Sequence, residues 1–473
     1  MLFNSFVFIG LLVLTFGLYY LPLLSRWQRS ILILSSTVFY SYHQPAMVGL
    51  LLMSVLVNAL ASYLIAHDPG VNRVHMATLG IIFNTGLLVV FKYSSLLILP
   101  LGLGPNPLTT FLLGIPLPLG ISFFTFQGIS LLVDVKKENY FRNEQLIPRS
   151  FWHHFERIFL FEAFFAHAIA GPIVKAHDFL PQISPKKLST IHWETTTKAL
   201  ITGYFLKMVV ADNLKDFTVW LAYPYFQQFS GSTLVLLVFG YYFQLFADFA
   251  GYSLIAIGLA RMFGYSFKPN FNFPLLATSF RELWTRWHIS LTNFLREYLF
   301  LPIVRAGSGK WRRYFGMLFV MIVAGLWHGA TWNFALWGAL HGAALVLENI
   351  LTKKKILMMK SPFLKFLKGI FIFLFSVFSL ILFKFSVLHD SLELYKTIQS
   401  NTFWFFYSSN DTKIVIYTLL YIAPVGFYYF MHFLKKTSWY RAFLPAEFLI
   451  YAFLFFLIIV NSGMAKNFIY FQF

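Results

Sequence analysis

The sequence predicts an all-α, polytopic bundle of transmembrane helices, and three observations predict it. Apolar residues make up 58% of the 473 and charged residues only 12%, where a soluble domain carries about a quarter charged residues. Mean hydropathy is +0.67. Many apolar runs approach or exceed the ~20 residues that a helix needs to cross a bilayer, and the cations gather between the runs.

Clear runs are residues 2–24, 46–66, 76–101, 232–259, 370–388 and 448–460. On length, roughly ten to twelve spans are expected. The first run has no Lys or Arg before it, and Arg26 and Arg29 follow it. It therefore reads as a span rather than a cleavable leader. Positive-inside logic puts residues 25–30 in the cytoplasm and the N-terminus outside. The polar connections 136–149, 175–198 and 353–368 are short enough to be loops. No repeat, low-complexity stretch or soluble domain interrupts residues 1–473, which read as a single membrane-embedded domain. Gly114, Pro116, Pro118 and Gly120 predict a broken entry into the apolar run at 121–133.

The net charge of +19, from 37 basic and 18 acidic residues, would suggest nucleic acid in a soluble protein. Here cytoplasmic loops and lipid headgroups account for it, so membrane lipid is the expected partner and nucleic acid is not. Two stretches are dense in cations. Residues 261–313 hold nine Lys/Arg against Glu282 and Glu297, and residues 353–368 hold six Lys. The absence of cysteine excludes disulfides, thiolate metal sites and a cysteine-bound acyl intermediate.

Two segments differ from lipid-facing spans. Residues 279–304, placed on one helix at 100° per residue, carry Arg281, Thr285, His288, Thr292 and Arg296 on one face. Leu283, Trp284, Trp287, Leu291, Phe294 and Leu295 fall opposite. The expectation is an amphipathic helix with His288 central in a basic stripe, lying at the headgroups or dipping inward. Residues 314–347 would make one helix of about 50 Å, against a hydrocarbon core of about 30 Å. A break is expected at Gly325-Leu326-Trp327-His328-Gly329, with Thr331 or Asn333 capping a restart. His328 would then sit at membrane depth beside a cavity, where an ionisable residue marks function. His341 on an unbroken helix would face the other way, and it ranks below His328.

No G-x-S-x-G or H-E-x-x-H is present, so a serine elbow and that zinc site are not expected, nor is any other metal. The Gly307-Ser308-Gly309-Lys310 stretch lacks the first glycine and the Ser/Thr of a phosphate loop, and reads as a flexible loop. Histidine without a side-chain nucleophile suits general-base catalysis on an already activated acyl donor. Acetyl-coenzyme A fits as donor, with no permanently bound cofactor. Arg281, Arg286 and Arg296, with Trp287, and beyond them Arg312 and Arg313, are the candidate contacts for its phosphates. Asp248, inside the apolar FADFAGYS, is expected to bond a hydroxyl such as that of Tyr252 or to orient a catalytic group.

At these residues the sequence resembles the membrane-bound O-acyltransferase family, in the branch of the alginate O-acetyltransferase membrane subunit. The markers run nearly end to end: MLFNSFVF, PLGISFFTFQGISLLVDV at 118–135, HAIAGPIV at 167–174, FADFAGYSLIAIGLARMFGYSFKPNFNFPLLA at 246–277, LWTRWHISLTNFLREYLFLP at 283–302, VAGLWHGATWNFALWGALHG at 323–342 and FIYFQF at 468–473. The resemblance implies helices around a central tunnel, His328 as the catalytic residue and His288 as a second active-site position. It implies transfer of an acetyl group outward to an exported polysaccharide or peptidoglycan. An extracytoplasmic partner protein with a Ser-His-Asp site would complete that transfer, in a bacterial cytoplasmic membrane. Two departures stand out: Leu254 follows Ser253 where the branch usually has an aspartate, and Ile303-Val304-Arg305-Ala306-Gly307 replaces a glycine pair. Two alternatives stay open: D-alanyl transfer to teichoic acid from a carrier protein, and, from another class, a transporter or flippase.

Overall fold

The computed structural model describes the chain except residues 43, 99–105, 138–145, 170, 354–360, 402–408, 439–443 and 464–473. The closing FIYFQF and much of the lysine stretch at 353–368 therefore lie outside the described residues. Among the described residues every regular element is helical. Helices Pro45–His67, Arg73–Lys92, Gly231–Met262, Trp332–Lys353, Pro362–Lys384 and Asp411–Leu434 are long and apolar enough to cross a membrane. Phe6–Tyr20 with Pro22–Ser41 adds a seventh if that pair, bent by 101°, is one span. The bend sits at Leu21, whose extended backbone (φ −64°, ψ 122°) is the conformation that a following proline imposes. Other apolar runs form shorter helices, such as Ile121–Lys137 and Glu447–Val460. Among the described residues, six single helices are thus long and apolar enough to cross a membrane on their own.

The outward faces are apolar. Phe6, Leu23, Phe363, Phe448 and Ile459 are each at least 65% exposed, which in water would be an aggregating surface and in lipid is a solvated one. Together with the span-length helices this makes the chain a multi-pass membrane protein.

The described residues fall into two compact units, Met1–Thr197 with Ile255–Pro269, and Lys198–Leu254 with Asn270–Phe473. In the first unit, buried polar groups bond one another, as hydrocarbon requires. Glu162 accepts from Ser54 Oγ at 3.0 Å and Asn58 Nδ2 at 2.9 Å, and Asn84 Nδ2 donates to Asn58 Oδ1 at 2.7 Å. Tyr19 and Tyr20 donate to the carbonyls of Phe263 and Met262. The broken entry expected before residue 121 is present. Gly120 has φ +74°, and a Cβ there would lie 2.2 Å from the Ala168 carbonyl oxygen, so only glycine fits.

The second unit holds every candidate site residue. Its central feature is the hairpin of helices Lys310–His328 and Trp332–Lys353. The break expected in the 34-residue apolar run occurs at Gly329, whose backbone is extended. The hairpin closes tightly because glycines face backbone. A Cβ on Gly325 would lie 2.1 Å from the Phe334 carbonyl oxygen, and one on Gly338 would lie 2.2 Å from that of Met321. Gly325 thus serves close helix approach more than the break itself. Asn333 does not cap the restart: its Nδ2 donates to the Phe385 carbonyl at 2.7 Å and to Ser391 Oγ at 3.3 Å.

Candidate active site

The segment 279–304 is not one amphipathic helix. Helix Phe280–Arg286 starts at Ser279, whose Oγ accepts from the Glu282 N–H at 2.9 Å. It ends at Trp287, and helix Ile289–Leu295 begins after His288, which adopts the left-handed conformation (φ 46°, ψ 52°). That conformation costs a non-glycine residue about 1–2 kcal/mol, so the surroundings must hold it. Asn270 does. Its carbonyl accepts from the Ile289 N–H at 2.9 Å, and its Oδ1 accepts from the Ser290 N–H at 3.2 Å. Its Nδ2 donates in turn to Ser253 Oγ at 3.0 Å. These bonds satisfy the orphan amides at the start of helix Ile289–Leu295. They fix the direction of the His288 side chain through a buried residue on neither flank of it.

The turn carries His288 out of the expected basic stripe. Its side chain is 1% exposed, and neither ring nitrogen has a hydrogen-bond partner among the described residues. The ring stands edge-on to Phe249 with centroids 4.4 Å apart, and lies 5.6 Å from Trp327 and 6.1 Å from His328. The two histidines chosen from sequence, 40 positions apart, therefore meet. His328 is the last residue of its helix and is 4% exposed. It packs against Trp337 and Phe383 with centroids at 5.6 and 5.0 Å.

His328 lines a cavity of about 30 Å³ whose other walls include Leu283, Trp284, Trp287, Trp337, His341 and Phe383. His341 belongs here despite its lower rank. The break at Gly329 folds the second helix back, so the periodicity that would have turned His341 away does not apply. Its Nε2 lies 3.0 Å from Ser379 Oγ. The Ser379 hydroxyl donates to the Ser376 carbonyl at 2.9 Å, so the serine must accept from histidine. Nε2 then carries the proton, and Nδ1 presents a lone pair with no partner among the described residues. The indole N–H groups of Trp284 and Trp337 are likewise buried without a partner among the described residues.

The arginines are dispersed. Arg281 and Arg296 are exposed, while Arg286 is held by Glu282 Oε1 at 2.8 Å and by the Asn272 carbonyl at 2.9 Å. Burial pushes the Glu282 carboxyl up, but hydrogen bonds from Thr278 and the Arg286 guanidinium outweigh it and hold the group below its usual range. Arg296 reaches a second, larger chamber of about 160 Å³ with apolar walls. Trp287 lines the small cavity and stacks its edge on Phe271. Arg286 is thus committed to Glu282 and to the Asn272 carbonyl, and of the four donor-contact candidates only Trp287 lines the cavity at His328.

Asp248 pairs with Lys207, a cation that sequence reasoning passed over. The ammonium lies 2.7 Å from Asp248 Oδ1 and 2.7 Å from Asp212 Oδ1, and all three residues are at most 4% exposed. Buried charge of this kind persists only when paired. Lys207 sits in a π-helical turn, Phe205–Ala211. Its bond to Asp248 anchors the helix at the residue before Phe249, the support of His288.

A buried histidine pair beside a cavity, set among membrane helices, is the architecture of a membrane enzyme. Comparison with known proteins defines which kind. The model of the membrane-bound O-acyltransferase family matches residues 107–388, and the chain belongs to that family; it is an O-acyltransferase. It is 32% identical over 368 residues to a probable alginate O-acetylase of Azotobacter vinelandii, covering 74% of this chain and 69% of that one. It is 33% identical over 334 residues to a peptidoglycan O-acetyltransferase of Helicobacter pylori, covering 66% and 63%. A teichoic acid D-alanyltransferase of Streptococcus thermophilus is 29% identical over 293 residues, covering 56% and 65%.

Proposed function

We propose that this chain takes an acetyl group from a cytoplasmic thioester, acetyl-coenzyme A, and delivers it outward to a hydroxyl of an exported polysaccharide or peptidoglycan. The observation that carries the reading is His328 at the end of a broken helix, buried beside His288 and lining a cavity the size of a short acyl group. In the proposed step His328 accepts the hydroxyl proton as that oxygen attacks the thioester carbonyl carbon. The C–S bond breaks, and the thiolate leaves with the proton that the imidazolium returns. A positioned general base of this kind contributes about 10² to 10⁴ in rate. His288, buried at 6.1 Å from His328, orients the reacting groups. The lack of any cysteine in the chain agrees with direct transfer.

The similarity to the alginate and peptidoglycan enzymes supports the acceptor class. A second, extracytoplasmic polypeptide with a Ser-His-Asp site is proposed to complete the modification, and a bacterial cytoplasmic membrane, with the N-terminus outside, is the proposed location. The test supplies radiolabelled acetyl-coenzyme A to one side of proteoliposomes holding the purified chain. Label should appear on the partner or on a soluble acceptor hydroxyl at the other side. Transfer only from a D-alanyl carrier protein would replace the acetyl donor with the D-alanyl one. Complete acetylation of polymer by the chain alone would remove the partner.

A further inference from the structure

The small cavity at His328 and the larger apolar chamber share one wall. Trp284 lines both. The small cavity, about 30 Å³, has room for roughly two waters and so for a two-carbon acyl group. Three residues that line it carry a buried hydrogen-bonding atom without a partner among the described residues: the indole N–H groups of Trp284 and Trp337, and Nδ1 of His341. Buried donors in native proteins are almost always satisfied, and an orphan asks for an explanation such as a ligand. The chamber on the other side of Trp284 is about 160 Å³, walled by Leu291, Phe300, Met317, Val320 and Met321. It is large enough for a hydrocarbon chain, and its polar lining residues are Thr292 and Arg296.

We propose that Trp284 is the residue that restricts this enzyme to short acyl groups. Its ring closes the acyl cavity off from the apolar chamber, and its N–H, together with that of Trp337, binds the acyl carbonyl oxygen. This rests on the acyl-transfer reading above and names the determinant of its substrate class. The indole does two separable things. Its bulk excludes the third and later carbons, since the space beyond is physically present but walled off. Its N–H, buried and without a partner among the described residues, is the donor for a carbonyl oxygen that gains charge, and preorganised donors stabilise the transition state more than the ground state. Helix Phe280–Arg286 keeps the ring in place, and Trp337 and His341 pack against it with centroids at 5.7 and 5.3 Å.

The experiment compares acetyl-, butyryl-, hexanoyl- and octanoyl-coenzyme A as donors for the purified full chain in nanodiscs. The wild type should use acetyl and fall steeply with length. Trp284→Ala should open the chamber and reverse that order, with kcat/KM rising about fourfold per methylene buried up to the end of the chamber. Trp284→Leu, which keeps an apolar side chain on the helix, carries the same test if the alanine variant does not purify folded. Trp284→Phe should keep the preference for acetyl, because the wall remains, yet lose kcat with little change in KM, because the N–H is gone. Trp284→Ala or Trp284→Leu that still transfers acetyl and still rejects hexanoyl overturns the proposal and leaves the acyl-transfer reading standing. A wild type that transfers no acyl group from any of the four thioesters overturns both.

Discussion

Replacing Asn270 by alanine tests whether the residue that holds the backbone just after His288 sets the geometry of the site. The substitution removes the acceptor of the Ser290 N–H and the donor to Ser253 Oγ, both buried. Each of the two lost hydrogen bonds costs about 0.5–1.5 kcal/mol net. The backbone bond from Ile289 to the residue 270 carbonyl survives, so the turn is weakened and not released. The left-handed strain at His288, about 1–2 kcal/mol, is then offset by less, and part of the loss is recovered as the turn relaxes. The expected net destabilisation is about 1–3 kcal/mol. That relaxation moves the His288 ring, and a displacement of about 1 Å in a catalytic constellation costs about 10²-fold in rate. The assay pairs thermal unfolding in detergent with single-turnover acetyl transfer in nanodiscs. Ser253→Ala is the control: it leaves the Ser290 bond in place, and its rate should fall far less. Asn270→Ala with wild-type turnover and a lower unfolding temperature would show that Asn270 stabilises the unit without positioning His288.

His328→Ala should abolish turnover, a loss of about 10² to 10⁴, with donor affinity nearly intact by equilibrium binding. His288→Ala should raise KM as well as lower kcat; a loss confined to the chemical step would mean that the two histidines act as one catalytic unit. Lys207→Met removes the ammonium that the Asp212 and Asp248 carboxylates share and should cost about 3–5 kcal/mol, read as a fall in unfolding temperature, while Lys207→Met with Asp212→Asn and Asp248→Asn should recover most of it. Gly325→Ala drives a Cβ to 2.1 Å from the Phe334 carbonyl oxygen and should destabilise the hairpin by about 1–3 kcal/mol or more, whereas Gly86→Ala, with open space around its Cβ, should not.

Much of this was legible from local pattern. Apolar runs too long and too poorly charged for a soluble core dictate membrane helices, because hydrocarbon leaves the backbone no other partner than itself. The run at 314–347 exceeds the bilayer, so it had to break, and the glycines around His328 gave the place. Motif order pointed to the family and to both histidines. What periodicity could not supply was any quantity that depends on a break in it. A uniform 100° step put His288 on a basic stripe and turned His341 away. One left-handed residue at 288 and one extended glycine at 329 reset the phase of everything after them, burying the first histidine and bringing the second to the cavity. Asn270, Lys207 and Trp284 carried no signal a single sequence could show, since each acts on residues far along the chain: Asn270 on Ser290, Lys207 on Asp248, and Trp284 on a cavity shared with Trp337 and His341. A sequence states which groups must leave water and which must be paired. Only the packed helices decide which partner each one finds, because that depends on where two distant segments cross.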